Sequence, residues 1–141
     1  MPKPEAGTVV RELFDRVWNG GDLQAAARLL APDFVRYAQP TSPGQTGVAA
    51  FVAGVTLIRT AFPDIRFEID DLMVAGDRVA VRWTAHATQR GEYRGVQPTG
   101  RRVRVSGIQI DRVVDGRIAA AWVCWDRLGL LEQLGAVAPY P

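Results

Sequence analysis

Three side chains in this sequence carry chemistry suited to a carbonyl compound: Gln109, Asp111 and Arg36. Asp111 offers a carboxylate that apolar surroundings would push toward neutrality, where it can take and return a proton. A solvated aspartate near a hairpin end is the competing reading. Gln109 donates and accepts hydrogen bonds but does not titrate near neutrality. Arg36, on a brief strand, is suited to polarising a carbonyl or gripping a carboxylate, against the plainer reading of a surface ion pair. His86, the one histidine, is the natural candidate for a proton shuttle. Alternation along its strand nevertheless groups it with Arg82 and Thr84 on the face opposite Trp83, an outer or interface position.

Gln109 and Asp111 act together only if the hairpin around them pairs in the right register. The stretch 103–135, VRVSGIQIDRVVDGRIAAAWVCWDRLGLLEQLG, holds two long strands, their turn and a closing helix. Asp115-Gly116 marks the reversal, because glycine takes a positive φ at no steric cost. A two-residue turn would pair Gln109 with Trp122, whereas a three-residue turn with Gly116 in a bulge sets the odd-numbered residues of both strands on one face. The second register is preferred. It gathers Val105, Gly107, Gln109 and Asp111 with Ala119, Ala121, Val123 and Trp125, small residues that leave room around a few polar groups. The opposite face carries Ile108, Ile110, Trp122 and Cys124, too apolar for open sheet surface, and predicts a homodimer through it.

The elements that must position this face are read upstream. Val10, Leu13, Phe14 and Val17 recur at helical spacing and predict a helix over 5–18. Asn19-Gly20-Gly21-Asp22 ends it and lets Asp22 cap a short helix over 23–30. Residues 34–37 read as a brief strand, and 39–47, QPTSPGQTG, as a pocket rim, a lid or a plain connector. Thr46 is positioned to cap a third helix over 48–62, which Pro63 ends. A strand from Ile65 through Val74 turns at Gly76-Asp77 into 79–88, where Val79, Val81, Trp83, Ala85 and Ala87 alternate inward. Residues 91–102 form a long hairpin connection. Asp126 caps the last helix, whose Leu128, Leu131 and Leu134 seal the base.

Helices first and strands afterwards imply an α+β fold: a curved antiparallel sheet with helices packed on its concave face, forming a cone-shaped cavity. Trp18, Phe34, Trp83, Ala85, Val123 and Trp125 are its expected walls. Tyr37, Tyr93 and Gln89 are expected to supply hydrogen bonds at its mouth.

The 141 residues fit one domain spanning 1–141, and 48% hydrophobic with 23% charged content is that of a soluble globular chain. A net charge of +2 makes the high isoelectric point a matter of a few extra arginines. Arg90, Arg94, Arg101, Arg102 and Arg104 cluster without the aromatic interleaving of single-strand binders, so a solvated loop is preferred over nucleic acid. One cysteine and one histidine argue against an internal disulfide and a structural metal site. No apolar run approaches the ~20 residues that span a bilayer. The opening MPKPEAG lacks a hydrophobic signal region, and cytoplasmic residence is the expectation.

The stretches VRELFDRVWNGGDLQAAARLLAPDFV, AFPDIRFEIDDLMVAGDRVAVRWTAH, GVQPTGRRVRVSGIQI and DGRIAAAWVCWDRLGLLEQLG together resemble the SnoaL-like polyketide cyclase family. This family lies within the nuclear-transport-factor-like superfamily of cone-shaped α+β proteins. The resemblance implies ring closure of a polyketide by an intramolecular aldol step without a cofactor, in antibiotic biosynthesis. It implies a general acid/base Asp on the last strand, a position that falls here on Val123. A fourth-strand histidine of those cyclases matches Gln109, and a polar pocket residue falls near Arg36. In related epoxide hydrolases an arginine and an acid fall on Trp83 and Ala85, and a second acid on Val123, so none of that water-activating set is present. The resulting expectation is a cofactor-independent cyclase or isomerase acting on an apolar, polyketide-like molecule. A non-catalytic small-molecule binder of the same fold is the alternative, and a structural dimer without a ligand is a third reading.

Overall fold

Buried side chains at positions 9, 10, 13, 14 and 17 hold the first helix against the sheet. A computed structural model describes residues 4–38, 44–139 and 141 of this chain. Helix α1 covers Ala6–Glu12, and the chain continues as a wider π-helical stretch over Leu13–Asn19. The sequence predicts one regular helix here, and the departure has a visible partner. Arg59 donates to the carbonyls of Trp18 and Asn19 at 2.6 and 3.2 Å, taking acceptors that the helix end leaves open. The Asn19 carboxamide then clamps both backbone groups of Phe67, at 3.0 and 2.7 Å.

Helix α2, Gln24–Leu29, runs into strand β1, Leu30–Tyr37. This strand begins earlier than the sequence suggests, because Pro32 falls where its pairing is irregular and no ladder donor is needed. Of the 39–47 segment, residues 39–43 lie outside the described residues, so the rim, lid or connector reading is not addressed there. The two-residue strand β2, Gln45–Thr46, pairs with β1. Thr46 therefore does not cap the next helix. Gly47 takes that place at φ +98, a conformation open to glycine, and its N–H donates to the Phe34 carbonyl at 2.7 Å. Helix α3 then covers Val48–Ala61.

Strands β3 (Arg66–Ala75), β4 (Arg78–Thr88), β5 (Arg102–Val114) and β6 (Arg117–Trp125) form a meander, and α4 (Arg127–Gln133) closes the chain. The sheet order is β2-β1-β6-β5-β4-β3, one curved and unclosed sheet. The α+β architecture is as expected, and four of its five pairings are antiparallel. The β1–β6 pair is parallel, which is possible because the intervening helix and meander supply the long crossover that parallel neighbours require. Among the described residues no helix is long and apolar enough to cross a membrane.

The hairpin register puts Gln109 opposite Val123 and Asp111 opposite Ala121, the preferred face, but by another device. Asp115 and Gly116, at φ +52 and +76, make a two-residue turn that pairs Val114 with Arg117. The extra residue is Ala119, bulged out between the Val113–Ile118 and Arg112–Ala120 pairs. Ile118 thus faces the interior in place of Ala119, and the odd-numbered alignment holds from Ala121 onward. A second bulge, at Asp70, keeps both Phe67 and Leu72 turned toward the helices.

Gly107 pairs with Trp83 across β5 and β4, and a Cβ at that position would collide with the indole ring. Gly107→Ala is therefore expected to displace Trp83 and destabilise the fold by roughly 1–3 kcal/mol, read as a lower urea midpoint at unchanged slope.

Candidate active site

The helices and the concave sheet face enclose a cavity of about 600 Å³. Its apolar end is aromatic. Trp18 meets the edge of Phe51 at 5.8 Å and lies 5.0 Å from Phe67, which in turn meets Trp83 at 5.0 Å between ring centroids. Offset and edge-on contacts of this kind are the favoured arrangements of aromatic quadrupoles, so the wall is stiff as well as apolar.

The polar end is built in two rows across the sheet. One row runs Arg36, Ala121, Asp111 over β1, β6 and β5, and the next sets Val123 beside Gln109. Ala121 is small, so Arg36 and Asp111 extend into the same space from two strands away. Trp83 Nε1 donates to Gln109 Oε1 at 3.1 Å, which orients the carboxamide. Its nitrogen then donates to both Asp111 oxygens, at 3.0 and 3.1 Å.

Asp111 is 1% exposed. Burial pushes its carboxyl up to about 7, against the smaller opposing effects of the Gln109 hydrogen bond and the Arg36 charge. The solvated-aspartate reading is thereby overturned: the strand bends inward and carries Asp111 under the helices. Burial also lowers the Arg36 guanidinium from its ordinary value, the like charge of Arg127 adds to this, and Asp111 opposes it. A group that titrates near neutrality beside a fixed cation can accept a proton from carbon and give one to oxygen.

Of the predicted wall residues, Trp18, Phe34, Trp83, Ala85, Val123 and Trp125 line this cavity, as do Gln109, Asp111 and Arg36. Two others do not. Tyr37 follows Arg36 on β1 and so faces the outer surface, where it stacks on Trp122 at 5.7 Å. Gln89 is fully buried behind the cavity, and its side chain fastens the 91–102 connection through Gly91, Val96 and Thr99. His86 lies on the outer face, 3.8 Å from Glu68.

Sequence reasoning missed Arg127 and the cavity-facing role of Arg94. Asp126 caps α4 by accepting from the Gly129 N–H at 2.8 Å, and this fixes Arg127 in the first turn with its guanidinium 5.2 Å over the Trp125 ring. A cation at that end of a helix opposes the helix dipole, which was a readable sign of another task. Arg94, read as part of a solvated basic loop, sits at φ +43 next to the buried Tyr93 and reaches the cavity from its rim.

The family model described as SnoaL-like polyketide cyclase matches residues 8–134. This chain is a SnoaL-like polyketide cyclase family member. Among solved structures, AclR of Streptomyces galilaeus, provisionally assigned as a hydroxylase, is 33% identical, with 96% of this chain and 84% of that one covered at a TM-score of 0.85. IdmH of Streptomyces antibioticus, provisionally assigned as a polyketide cyclase, is 31% identical over 94% of this chain and 99% of its own, at 0.83. TsrD of Streptomyces laurentii is 30% identical over 92% and 97%, at 0.80. No match was found among curated proteins. SnoaL-like membership and these neighbours support a cyclase-like function.

Proposed function

We propose that this SnoaL-like protein is a cofactor-independent cyclase or isomerase for an apolar polyketide-like intermediate, with Asp111 as its acid/base group. The observation that carries this reading is the carboxyl of Asp111, buried inside the cavity and held near neutrality, diagonally across the hairpin from Val123. Diagonal cross-strand neighbours are about 7–8 Å apart, within reach of one substrate. The carboxylate has moved strands while serving the same space.

In the step proposed, ionised Asp111 removes a proton from carbon next to a substrate carbonyl, and the C–H electron pair becomes an enolate. Arg36 stabilises the oxygen on which charge develops. The enolate carbon attacks a second carbonyl carbon of the same chain, closing the ring, and the new alkoxide takes back the proton from Asp111. Atoms and electrons balance within the substrate. Confining a flexible chain to this conformer contributes several kcal/mol of its own, up to about 7–11 in favourable cases.

The test is incubation with linear polyketide substrates, followed by chromatography and mass spectrometry. Ring closure gives a new product of unchanged mass, or one lighter by water; unaltered substrate at every enzyme concentration would overturn the enzyme reading. A second reading has its own observation, since Val123 stands where the family resemblance expects an acid. On that reading the protein binds the same class of ligand and returns it unchanged.

Gln109 is proposed as a positioning residue for Asp111. Its hydrogen bond lowers the Asp111 pKa, so Gln109→Ala is expected to move the acid limb of the rate profile to higher pH while the variant stays folded. An unmoved limb would remove Gln109 from this role.

The outer sheet face is proposed as a homodimer interface, supported by Ile108, Ile110 and Trp122, which are 57%, 42% and 40% exposed. Sedimentation of the wild-type chain tests it.

A further inference from the structure

On the outer face of the sheet, one corner gathers positive charge without acids to match it. Cross-strand pairing sets Arg66, His86 and Arg104 in one row over β3, β4 and β5, and the next outward-facing row sets Arg102 beside Thr88. Directly opposed side chains stand about 4.5–5.5 Å apart at Cβ, a separation at which like charges are destabilising. Elsewhere on this face the arginines are matched: Arg82 meets Asp71 at 2.7 Å and Arg112 meets Asp77 at 3.1 Å. Among the described residues no carboxylate lies within ion-pair distance of Arg66, Arg102 or Arg104. Glu68 reaches His86 alone, at 3.8 Å.

The three arginines line a second concavity, of about 420 Å³, together with Asp64 and Gln133. Alternation along β4 and β5 puts it on the opposite side of the sheet from the main cavity, whose wall includes the intervening Ala87 and Val103. Its two sides are tied to the strands. Asp64 accepts from the Thr88 N–H at 2.7 Å, and the Gln133 carboxamide bonds both backbone groups of Arg104 at 2.9 Å. Three arginines against one aspartate leave two surplus positive charges among the lining residues before His86 is counted.

From this we infer that the concavity binds the phosphate group of a small soluble phosphate monoester. Such a group carries about −1.5 to −2 near neutrality, which meets the surplus as a carboxylate or a sulfate ester does not. Arginine suits it because the planar guanidinium fork donates two parallel hydrogen bonds to two oxygens of one phosphate. The acids beside the patch limit the size of the ligand. Glu68 and Asp71 continue along β3 on the same face, 54% and 56% exposed, so an extended anionic surface such as nucleic acid or a membrane meets repulsion that a single phosphate avoids. The site stands apart from Asp111, and the inference holds whether or not the chain closes rings.

Amide-resolved NMR titration of the full chain tests this with methyl phosphate, against methyl sulfate as a monoanion of the same tetrahedral shape. Low salt keeps screening small, and the pH is set well above the second phosphate pKa of about 6. Methyl phosphate is expected to shift the amides of 64–66, 86–88 and 102–104 saturably, and to bind at least about fivefold more tightly than the sulfate. Arg66→Gln and Arg104→Gln are each expected to weaken it at least about threefold, whereas Arg117→Gln, an equal loss of charge at the far end of the β5–β6 hairpin, changes it less than about 1.5-fold. Equal affinity for the two probes would overturn the inference. So would shifts centred on Arg36, Gln109 and Asp111, or a loss in Arg117→Gln as large as that in Arg104→Gln. The wild-type comparison stands even if a variant fails to fold. Flotation with phosphatidylcholine vesicles containing phosphatidic acid separates a soluble ester from a lipid headgroup: the protein is expected to stay behind, and co-flotation that Arg104→Gln abolishes would overturn the soluble assignment.

Discussion

Asp111→Asn is expected to lower turnover of a cyclisable substrate by about 10²–10⁴-fold with little change in its binding. Asparagine keeps the size of the side chain and an oxygen that can accept from Gln109, so the cavity and the Trp83–Gln109 contact persist. What disappears is the group that ionises near neutrality. The wild-type rate should climb with pH through about 7 as the carboxylate forms, and that limb should be missing from the residual activity of the variant. Adding Val123→Asp to the variant supplies a carboxylate directly across from Gln109. Partial recovery is expected there, because the requirement is for a carboxylate in this volume rather than on a given strand. A variant that turns over at the wild-type rate would show that Asp111 moves no proton.

The same substitution is expected to change how stability depends on pH. In the unfolded chain Asp111 ionises near its ordinary 3.8, whereas in the folded protein it does so near 7. Between these values the folded protein retains a proton that the unfolded chain has released, so stability falls as pH rises through the window. Below about 4 the penalty is absent, and above about 7 it is complete, at roughly 4 kcal/mol from the shift. Asparagine carries no such penalty. Urea unfolding across this range should therefore show Asp111→Asn gaining on the wild type with rising pH. Comparing the two chains also cancels Asp64. Its carboxyl is lowered, with burial acting against the shift and the hydrogen bonds from Thr88 outweighing it, so it adds stability that is lost as pH falls below its ordinary range. A constant difference between the two chains from pH 4 to 7 would contradict a raised Asp111.

The layout of the fold was legible because its signals are local. Alternation along 79–88 placed Trp83 inward, the Asp115-Gly116 pair marked the reversal, and the Asp126 cap set the start of α4. The hairpin face was read correctly from Ala121 onward, although the irregularity lies at Ala119 and not at Gly116, so that Ile118 replaces Ala119 on it. Small residues on one face and large apolar ones on the other fix the register, whichever residue absorbs the shift. The π-helical turn at Leu13–Asn19 was not legible, since it answers to Arg59, some forty residues on. Nor was the burial of Asp111, which depends on how far the bent strands lie beneath the helices. Tyr37 was misplaced for a simpler reason: on a strand it cannot share a face with its neighbour Arg36. Gln89 went wrong because a buried amide that satisfies loop backbone looks, in sequence, like one at a pocket rim.

Everything turns on one carboxyl group inside the cone, and its titration can be followed directly. Carbon-detected NMR of the Asp111 side-chain carboxyl in the ligand-free protein should give a midpoint at about 7, with Gln109→Ala moving it higher. A midpoint near the ordinary 3.8 would mean a well-solvated aspartate. It would leave the cavity without an acid/base group and favour the binding-only reading.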